Sequence, residues 1–347
     1  MQYEVYMKKC IELARLGEGN TSPNPLVGCV VLNKDGEIIS NGYHKKYGEN
    51  HAERDALLKL KNGEEEGGTL IVNLEPCSHF GKTPPCADLI IERKIKKVII
   101  GMRDVNPIVS GNGIKKLENA GIEVIEGVLE DECKKLNEIF IKNHIQKKTF
   151  IALKTATTLD GKIATSSGSS KWITSENARA EVKKIRKRYD AILTSSSTVI
   201  ADNPTMEHKT KIILDRTLKT DFENSNIYKN GKIYVFYSSA QTPPEIPGIT
   251  FIPAPEVNNK LDLEYIFNKL YDLKIMSVLV ESGGKLNGEV LKYVDKVYHF
   301  IAPKITGDNA SRSCFDCRSI SEISECENFK FEEIQIFQPD ILLTYYK

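Results

Sequence analysis

Apolar positions switch between two periods along the first 145 residues. Tyr6, Cys10, Leu13 and Ala14 recur at helical spacing and predict a helix over 3–16. Residues 27–32 read as a strand, Asn33-Lys34-Asp35-Gly36 as a hairpin turn and 37–43 as the returning strand. Segments 52–61 and 87–94 have the length and spacing of helices. The apolar runs 68–74 and 97–101 are too short for helices and read as buried strands. A Gly/Asn/Pro loop over 104–113 leads to a helix ending near 119, a strand over 122–125 and a helix over 130–144. This predicts an α/β domain with helices on both faces of a mixed sheet.

The polar stretch 142–148 interrupts the pattern, and a second α/β series begins at Phe150. The expected domains are therefore 1–145 and 146–347. Strands are predicted over 150–156, 191–194, 211–214, 232–237, 250–253, 277–280, 296–301, 329–337 and 340–346. Helices are predicted over 175–188, with Ser175 as N-cap, and over 262–273 and 288–293. So many strands imply one large sheet. Neither internal repeats nor low-complexity tracts appear.

Composition narrows the function classes. The 347 residues are 40% hydrophobic and 27% charged, enough apolar mass for two cores. Lys+Arg 48 against Asp+Glu 47 leaves a net charge of +1, so no global field favours nucleic acid or an acidic membrane. No run approaches the roughly 18 apolar residues of a membrane helix, and the N-terminus lacks the pattern of a secretion signal. Eight cysteines are too sparse for a disulfide scaffold, and the expectation is a cytoplasmic protein.

The cysteines then have to be judged singly. Cys10, Cys29 and Cys133 fall on apolar faces as core residues, and Cys314-Phe315-Asp316-Cys317 lacks a second pair to complete a tetrahedral site. His51-Ala52-Glu53, Pro76-Cys77 and Cys86 are different. One imidazole and two thiolates at loop or helix-start positions make a three-ligand zinc set (His51, Cys77, Cys86) with its fourth position open, the catalytic arrangement. Glu53, two residues from His51, is placed to shuttle protons to and from an attacking water without ligating. Structural cysteines or a closed structural zinc are the alternatives. Ordinary nucleobase deaminases pair their cysteines as Cys-x2-Cys, whereas eight residues intervene here. Within that insert Ser78, His79, Lys82 and Thr83 form either a holder for an anionic substrate or a plain polar loop. Asn24 and His44 are candidates to reach the same site, with structural roles as the alternative.

Pro23-Asn24-Pro25-x-Val27-Gly28, His51-Ala52-Glu53 and the run Leu74-Glu75-Pro76-Cys77-Ser78-His79-Phe80-Gly81-Lys82-Thr83-Pro84-Pro85-Cys86 resemble the bifunctional deaminase-reductase of bacterial riboflavin biosynthesis. The long cysteine loop resembles that family's own pattern. The resemblance continues through Thr158-Leu159-Asp160-Gly161-Lys162-Ile163-Ala164, Lys171-Trp172-Ile173-Thr174-Ser175, Thr198-Val199-Ile200-Ala201-Asp202-Asn203-Pro204 and Val280-Glu281-Ser282-Gly283-Gly284. It implies a cytidine-deaminase-like three-layer N-terminal domain and a dihydrofolate-reductase-like C-terminal domain. It also implies zinc-dependent deamination of a 2,5-diamino-6-(5-phosphoribosylamino)pyrimidin-4-one, then NADPH-dependent reduction of the ribosyl chain to ribityl, in a homo-oligomer.

By the same resemblance NADPH is expected at Ala156, Trp172, Thr198, Asp202 and the turn Gly283, Gly284, Lys285, Leu286, Asn287 and Gly288. Substrate is expected at Ser170, Arg186, Met206 and Glu281 of the reductase, as well as at the deaminase residues above. On residue types alone, the strand-Gly-Gly-helix element is either a phosphate cradle or a tight turn. Trp172 is equally a core anchor, and Arg186 one charge of a basic helix face. The family's longer segment after Pro204 carries an arginine; here Thr205 to Thr210 runs almost directly into a strand, leaving Lys209 as a substitute. Arg216 is a candidate for the cofactor's 2′-phosphate, and Asp160 or Glu281 for assisting proton movement. A nucleic-acid-editing deaminase and a zinc-stabilised scaffold are the competing classes; near-neutral charge without a basic-aromatic stripe weighs against the first.

Overall fold

The computed structural model describes residues 3–79, 84–106, 110–316 and 319–347, and the chain divides into two compact units, Met1–Lys147 and Lys148–Lys347. None of the helices among the described residues is long and apolar enough to cross a membrane.

Unit 1 contains α1 (Glu4–Arg15), β1 (Gly28–Leu32), β2 (Ile38–Tyr43), α2 (Ala52–Leu57), β3 (Thr69–Leu74) and α3 (Cys86–Glu92). It continues with β4 (Lys97–Met102), α4 (Asn112–Asn119), β5 (Glu123–Ile125), α5 (Glu130–Leu136) and α6 (Glu138–Gln146). The sheet order is β2-β1-β3-β4-β5, antiparallel across β2, β1 and β3 and parallel from β3 to β5. Strands β1, β3 and β4 are buried almost throughout, because helices cover both faces, which is why they read as continuous apolar runs. Two glycines show how closely. A Cβ at Gly28 would lie 2.0 Å from the Cys10 carbonyl of α1, and one at Gly42 2.5 Å from the Ala52 carbonyl of α2. Gly42 faces Cys29 in the ladder, one residue on from Gly28, so α1 and α2 lie on opposite faces.

The helix expected over 130–144 is broken at Asn137. Its backbone leaves the helical region (φ −103, ψ 21), and its side chain turns to the chain segment before β1, accepting from Leu26 N at 2.8 Å and donating to Leu26 O at 3.0 Å. A polar side chain with a tertiary partner overrides the helical period there.

Unit 2 holds β6 (Phe150–Thr158), β7 (Lys162–Ala164), α7 (Glu176–Lys187), β8 (Ala191–Ser195), α8 (Ser196–Asp202), β9 (Thr210–Leu214), β10 (Lys232–Ser238) and β11 (Ile249–Ala254). After these come β12 (Glu256–Val257), β13 (Lys260–Leu261), α9 (Leu263–Asp272), β14 (Ser277–Val280), α10 (Gly284–Val290), β15 (Lys296–Ala302), β16 (Arg312–Ser313), β17 (Lys330–Phe337) and β18 (Asp340–Tyr346). Nine strands form one sheet, β11-β10-β9-β8-β14-β6-β15-β18-β17, while β12-β13 and β16-β7 are two-stranded ribbons. Pairing is parallel from β11 to β15 and antiparallel for β18 and β17. Leu263, Ile266, Phe267 and Leu270 of α9, with Leu286 and Val290 of α10, pack on Ile151, Leu153, Val278 and Val280.

Ser175 is the N-cap of α7, its hydroxyl accepting from Ala178 N at 3.3 Å. α10 starts at Gly284, four residues before the predicted start, because Gly283 already has the extended geometry of an N-cap (φ −82, ψ 170). α8 was absent from the periodic pattern; its seven residues are too few for a stripe, and Ser195, capping Thr198 N, was its only local mark.

Candidate functional site

His51 is the N-cap of α2, Cys86 the first residue of α3, and Cys77 follows β3 by three residues. Helix starts fix two donors rigidly and a strand end supplies the third. Nδ1 of His51 lies 3.5 Å from each Sγ of Cys77 and Cys86, and the three donor atoms fall within 4.8 Å of one another. Hydrogen bonding from Cys86, then from His51, draws the Cys77 thiol well down, whereas in the same pairing Cys86 goes well up. The backbone N–H of Cys86 adds a 3.3 Å bond to the Cys77 sulfur. A divalent cation among the donors would take the place of the shared proton, so two thiolates and an imidazole fit zinc chemically.

Glu53 is 3% exposed, its carboxyl pushed up to about 7 by burial and secondly by the Cys77 charge. A carboxyl buried beside the ligands without belonging to the donor set suits proton transfer. His44 Nδ1 lies 3.0 Å from the Asn50 carbonyl, which makes Nδ1 the protonated nitrogen and leaves Nε2 to accept from the Asn24 amide at 3.1 Å. Burial lowers the His44 pKa, and its ring stands edge-on to His51 with centroids 5.3 Å apart. The structure thus brings Asn24 and His44 to the ligand set. His79 is exposed on the cysteine loop; Lys82 and Thr83 lie outside the described residues, as does Cys317.

Sequence reasoning missed the supports. Glu75, 3% exposed, accepts four backbone N–H groups: Asp104 at 3.2 Å, Gly111 at 3.0 Å, Gly113 at 3.0 Å and Ile114 at 3.4 Å. It ties the segment just before Cys77 to the stretch from the end of β4 to the first turn of α4, where a Cβ on Gly113 would meet the Pro76 carbonyl at 2.1 Å. Asn73 accepts from Gly28 N at 2.7 Å and donates to Leu26 O at 2.9 Å, holding with Asn137 the segment that carries Asn24. A carboxylate and an amide ending an otherwise apolar strand were the available marks.

In unit 2 a cleft of about 1170 Å³ opens where β6, β8, β9 and β14 end. Ala156, Ser170, Thr198, Asp202, Met206, Glu281 and Gly283 to Asn287 all line it, as does Arg216. Gly288 lines a separate cavity of about 510 Å³. Trp172 is 62% exposed under the Arg179 guanidinium, 4.4 Å from its ring centroid, and neither it nor Lys209 is among the cleft's lining residues. Arg186 is no free basic face: its Nε and Nη2 grip Glu281 at 2.6 and 2.9 Å. Lys154 Nζ adds a contact at 2.8 Å. Burial alone would raise the Glu281 carboxyl, but Lys154 and Arg186 outweigh it and bring it down to about 2. Asp160 is occupied structurally, accepting from the Thr158 hydroxyl at 2.6 Å and from Gly307 N at 3.0 Å. Gly283 is open around its Cα, whereas a Cβ on Gly284 would lie 2.3 Å from the Ser313 carbonyl.

Residues 1–102 match the cytidine and deoxycytidylate deaminase zinc-binding region, and residues 149–343 the RibD C-terminal domain. The chain is 41% identical to the riboflavin biosynthesis protein RibD of Actinobacillus pleuropneumoniae over 98% of its own length and 94% of that protein. It is 40% identical to RibD of Aquifex aeolicus, covering 95% of each. Among solved structures it resembles a diaminohydroxyphosphoribosylaminopyrimidine deaminase/5-amino-6-(5-phosphoribosylamino)uracil reductase from Thermotoga maritima, with a TM-score of 0.88 at 42% identity over 99% of this chain and 98% of that one. Acinetobacter baumannii RibD follows at 0.87 and 32%, with the same coverage. With both halves matched and close relatives aligned along nearly its whole length, the chain belongs to the RibD family of riboflavin biosynthesis proteins.

Proposed function

We propose that the chain catalyses two consecutive steps of riboflavin biosynthesis, with unit 1 as the deaminase and unit 2 as the reductase. The observation that carries the reading is the buried Glu53 carboxyl beside the His51, Cys77 and Cys86 donor set. Zinc held by those three residues would supply the Lewis acidity that activates water. Glu53 takes the proton released as water adds to the amine-bearing ring carbon and passes it to the adjacent ring nitrogen; the remaining hydroxyl proton then moves through Glu53 to the amine, which leaves as ammonia while the carbon becomes a carbonyl. Asn24, fixed through His44, reads the pyrimidine edge. His79, Lys82 and Thr83 hold the substrate from the cysteine loop.

In unit 2 the cleft admits NADPH along Ala156, Thr198, Asp202 and the Gly283 to Asn287 segment. Its volume slightly exceeds the roughly 300–1,000 Å³ of ordinary small-molecule sites, as a dinucleotide with a second substrate requires. NADPH would supply hydride to the anomeric carbon of the ring-opened imine, whose nitrogen takes a proton. Ser170, Met206 and Glu281 line the cleft and orient the ribosyl phosphate chain, with Arg186 and Lys154 holding Glu281 in place, so catalysis is largely positioning. The protein works in the cytoplasm as a homo-oligomer. Its apolar edge strand β17, with Phe331, Ile334 and Ile336 exposed, supports self-association.

The test is ammonia release from the diaminopyrimidine by zinc-loaded protein, followed by NADPH oxidation in the same sample. Glu53→Ala should keep zinc by elemental analysis, lose ammonia release by about 10²-fold or more, and oxidise NADPH normally when given the deaminated pyrimidine. A variant that still releases ammonia at the wild-type rate sinks the assignment.

A further inference from the structure

We propose that Arg312 is a phosphate-binding residue of the reductase cleft. The inference rests on the reading above, in which both molecules sharing the cleft carry phosphate. Five cationic side chains line it: Lys154, Arg216, Lys260, Lys285 and Arg312. Three are already paired with carboxylates, Lys154 with Glu281 at 2.8 Å, Arg216 with Glu256 at 3.2 Å and Lys260 with Glu289 at 2.8 Å. Arg186 has turned its fork to Glu281. Among the described residues Arg312 and Lys285 have no acidic partner, and Arg312 alone of these two offers the planar fork that meets two phosphate oxygens at once.

Its placement is built into the fold. Arg312 pairs with Ala164 in the β7-β16 ribbon, which fixes its backbone at the cleft wall. The guanidinium lies over Gly168, a glycine at φ +92, where a Cβ would come within 3.1 Å of Nη2. Bare backbone there leaves space for the charged plane. Ser170, two residues beyond Gly168, lines the same cleft. On the other side Ser313, the next residue, presses its carbonyl against Gly284, so the ribbon runs beside the Gly283-Gly284 turn. A phosphate between these elements would meet Arg312 from one wall and Lys285 from the other.

The phosphate belongs either to the substrate's ribosyl chain or to the nucleotide, and binding measurements separate the two. With the full-length, zinc-loaded chain, NADPH and NADH are titrated by fluorescence, and the deaminated pyrimidine and its dephosphorylated analogue by calorimetry. Wild type, Arg312→Ala and Arg312→Lys are compared, with melting temperature recorded for each. The expected result is a dissociation constant raised tenfold or more for a phosphate-bearing ligand in Arg312→Ala, partly restored in Arg312→Lys, at an unchanged melting temperature. Weakening confined to the phosphorylated pyrimidine assigns Arg312 to the substrate. Loss for NADPH but not NADH assigns it to the 2′-phosphate, and equal loss for both to the pyrophosphate. Unchanged affinities, or equal weakening of the phosphorylated and dephosphorylated pyrimidines, overturn the proposal. A wild-type chain that binds neither nucleotide nor pyrimidine overturns the functional reading and this inference with it.

Discussion

Glu281 shows how a single side chain couples charge to stability. Buried between Lys154 and Arg186, its carboxyl titrates near 2 rather than at its ordinary 4.5. A depressed carboxyl stabilises the folded state fully above the unfolded value and loses that contribution as pH falls through the folded one, here from about 4.5 to about 2. The gap corresponds to roughly 3 kcal/mol. Glu281→Gln should therefore be less stable than wild type at pH 7 by about that amount, the two converging toward pH 2. Urea unfolding across that range, followed by a probe in unit 2, checks this; a gap independent of pH contradicts it. The ion pair was hidden in the sequence because Arg186 stands in a lysine-rich run, and Glu281 lies 95 residues away. By contrast the grouping of His51, Cys77 and Cys86 was legible, since an imidazole and two thiols beside helix starts and a strand end have few other uses.

At the scale of elements, periodicity located the strands well, because central strands buried on both faces have no polar alternation to confuse with helix. It failed where one side chain decides the backbone. Asn137 ends α5 by turning to Leu26, and with Asn73 it satisfies both backbone groups of Leu26 and the N–H of Gly28. Asn137→Ala should leave the Leu26 N–H without its partner and lower the stability of unit 1 by about 1–3 kcal/mol. It should also raise KM for deamination more than it lowers kcat, because the loosened segment carries Asn24. Steady-state ammonia release beside chemical denaturation measures both; an unchanged KM would detach Asn24 from the substrate. The short α8 and the two ribbons were illegible for a plainer reason, being too brief to show a period.

For the molecule as a whole, each unit has a sheet and core of its own. The nine-stranded sheet ends at β17, whose Phe331, Ile334 and Ile336 are 59%, 54% and 71% exposed. A lone chain would rarely leave such an edge bare. Light scattering should give a mass above the 39.0 kDa of one chain, and Ile334→Lys with Ile336→Lys should return it toward that value. A monomeric wild type would refute self-association. Finally, the four amides gathered on Glu75 bear on how the chain can vary in length. Residues 104, 111, 113 and 114 must all reach one carboxylate, so the spacing from 111 onward is fixed, whereas the amides of Asn106 and Ser110 between them bond elsewhere. Natural insertions in this loop should therefore cluster before Gly111, leaving the distance between Glu75 and Cys77 untouched and the metal ligands where they were.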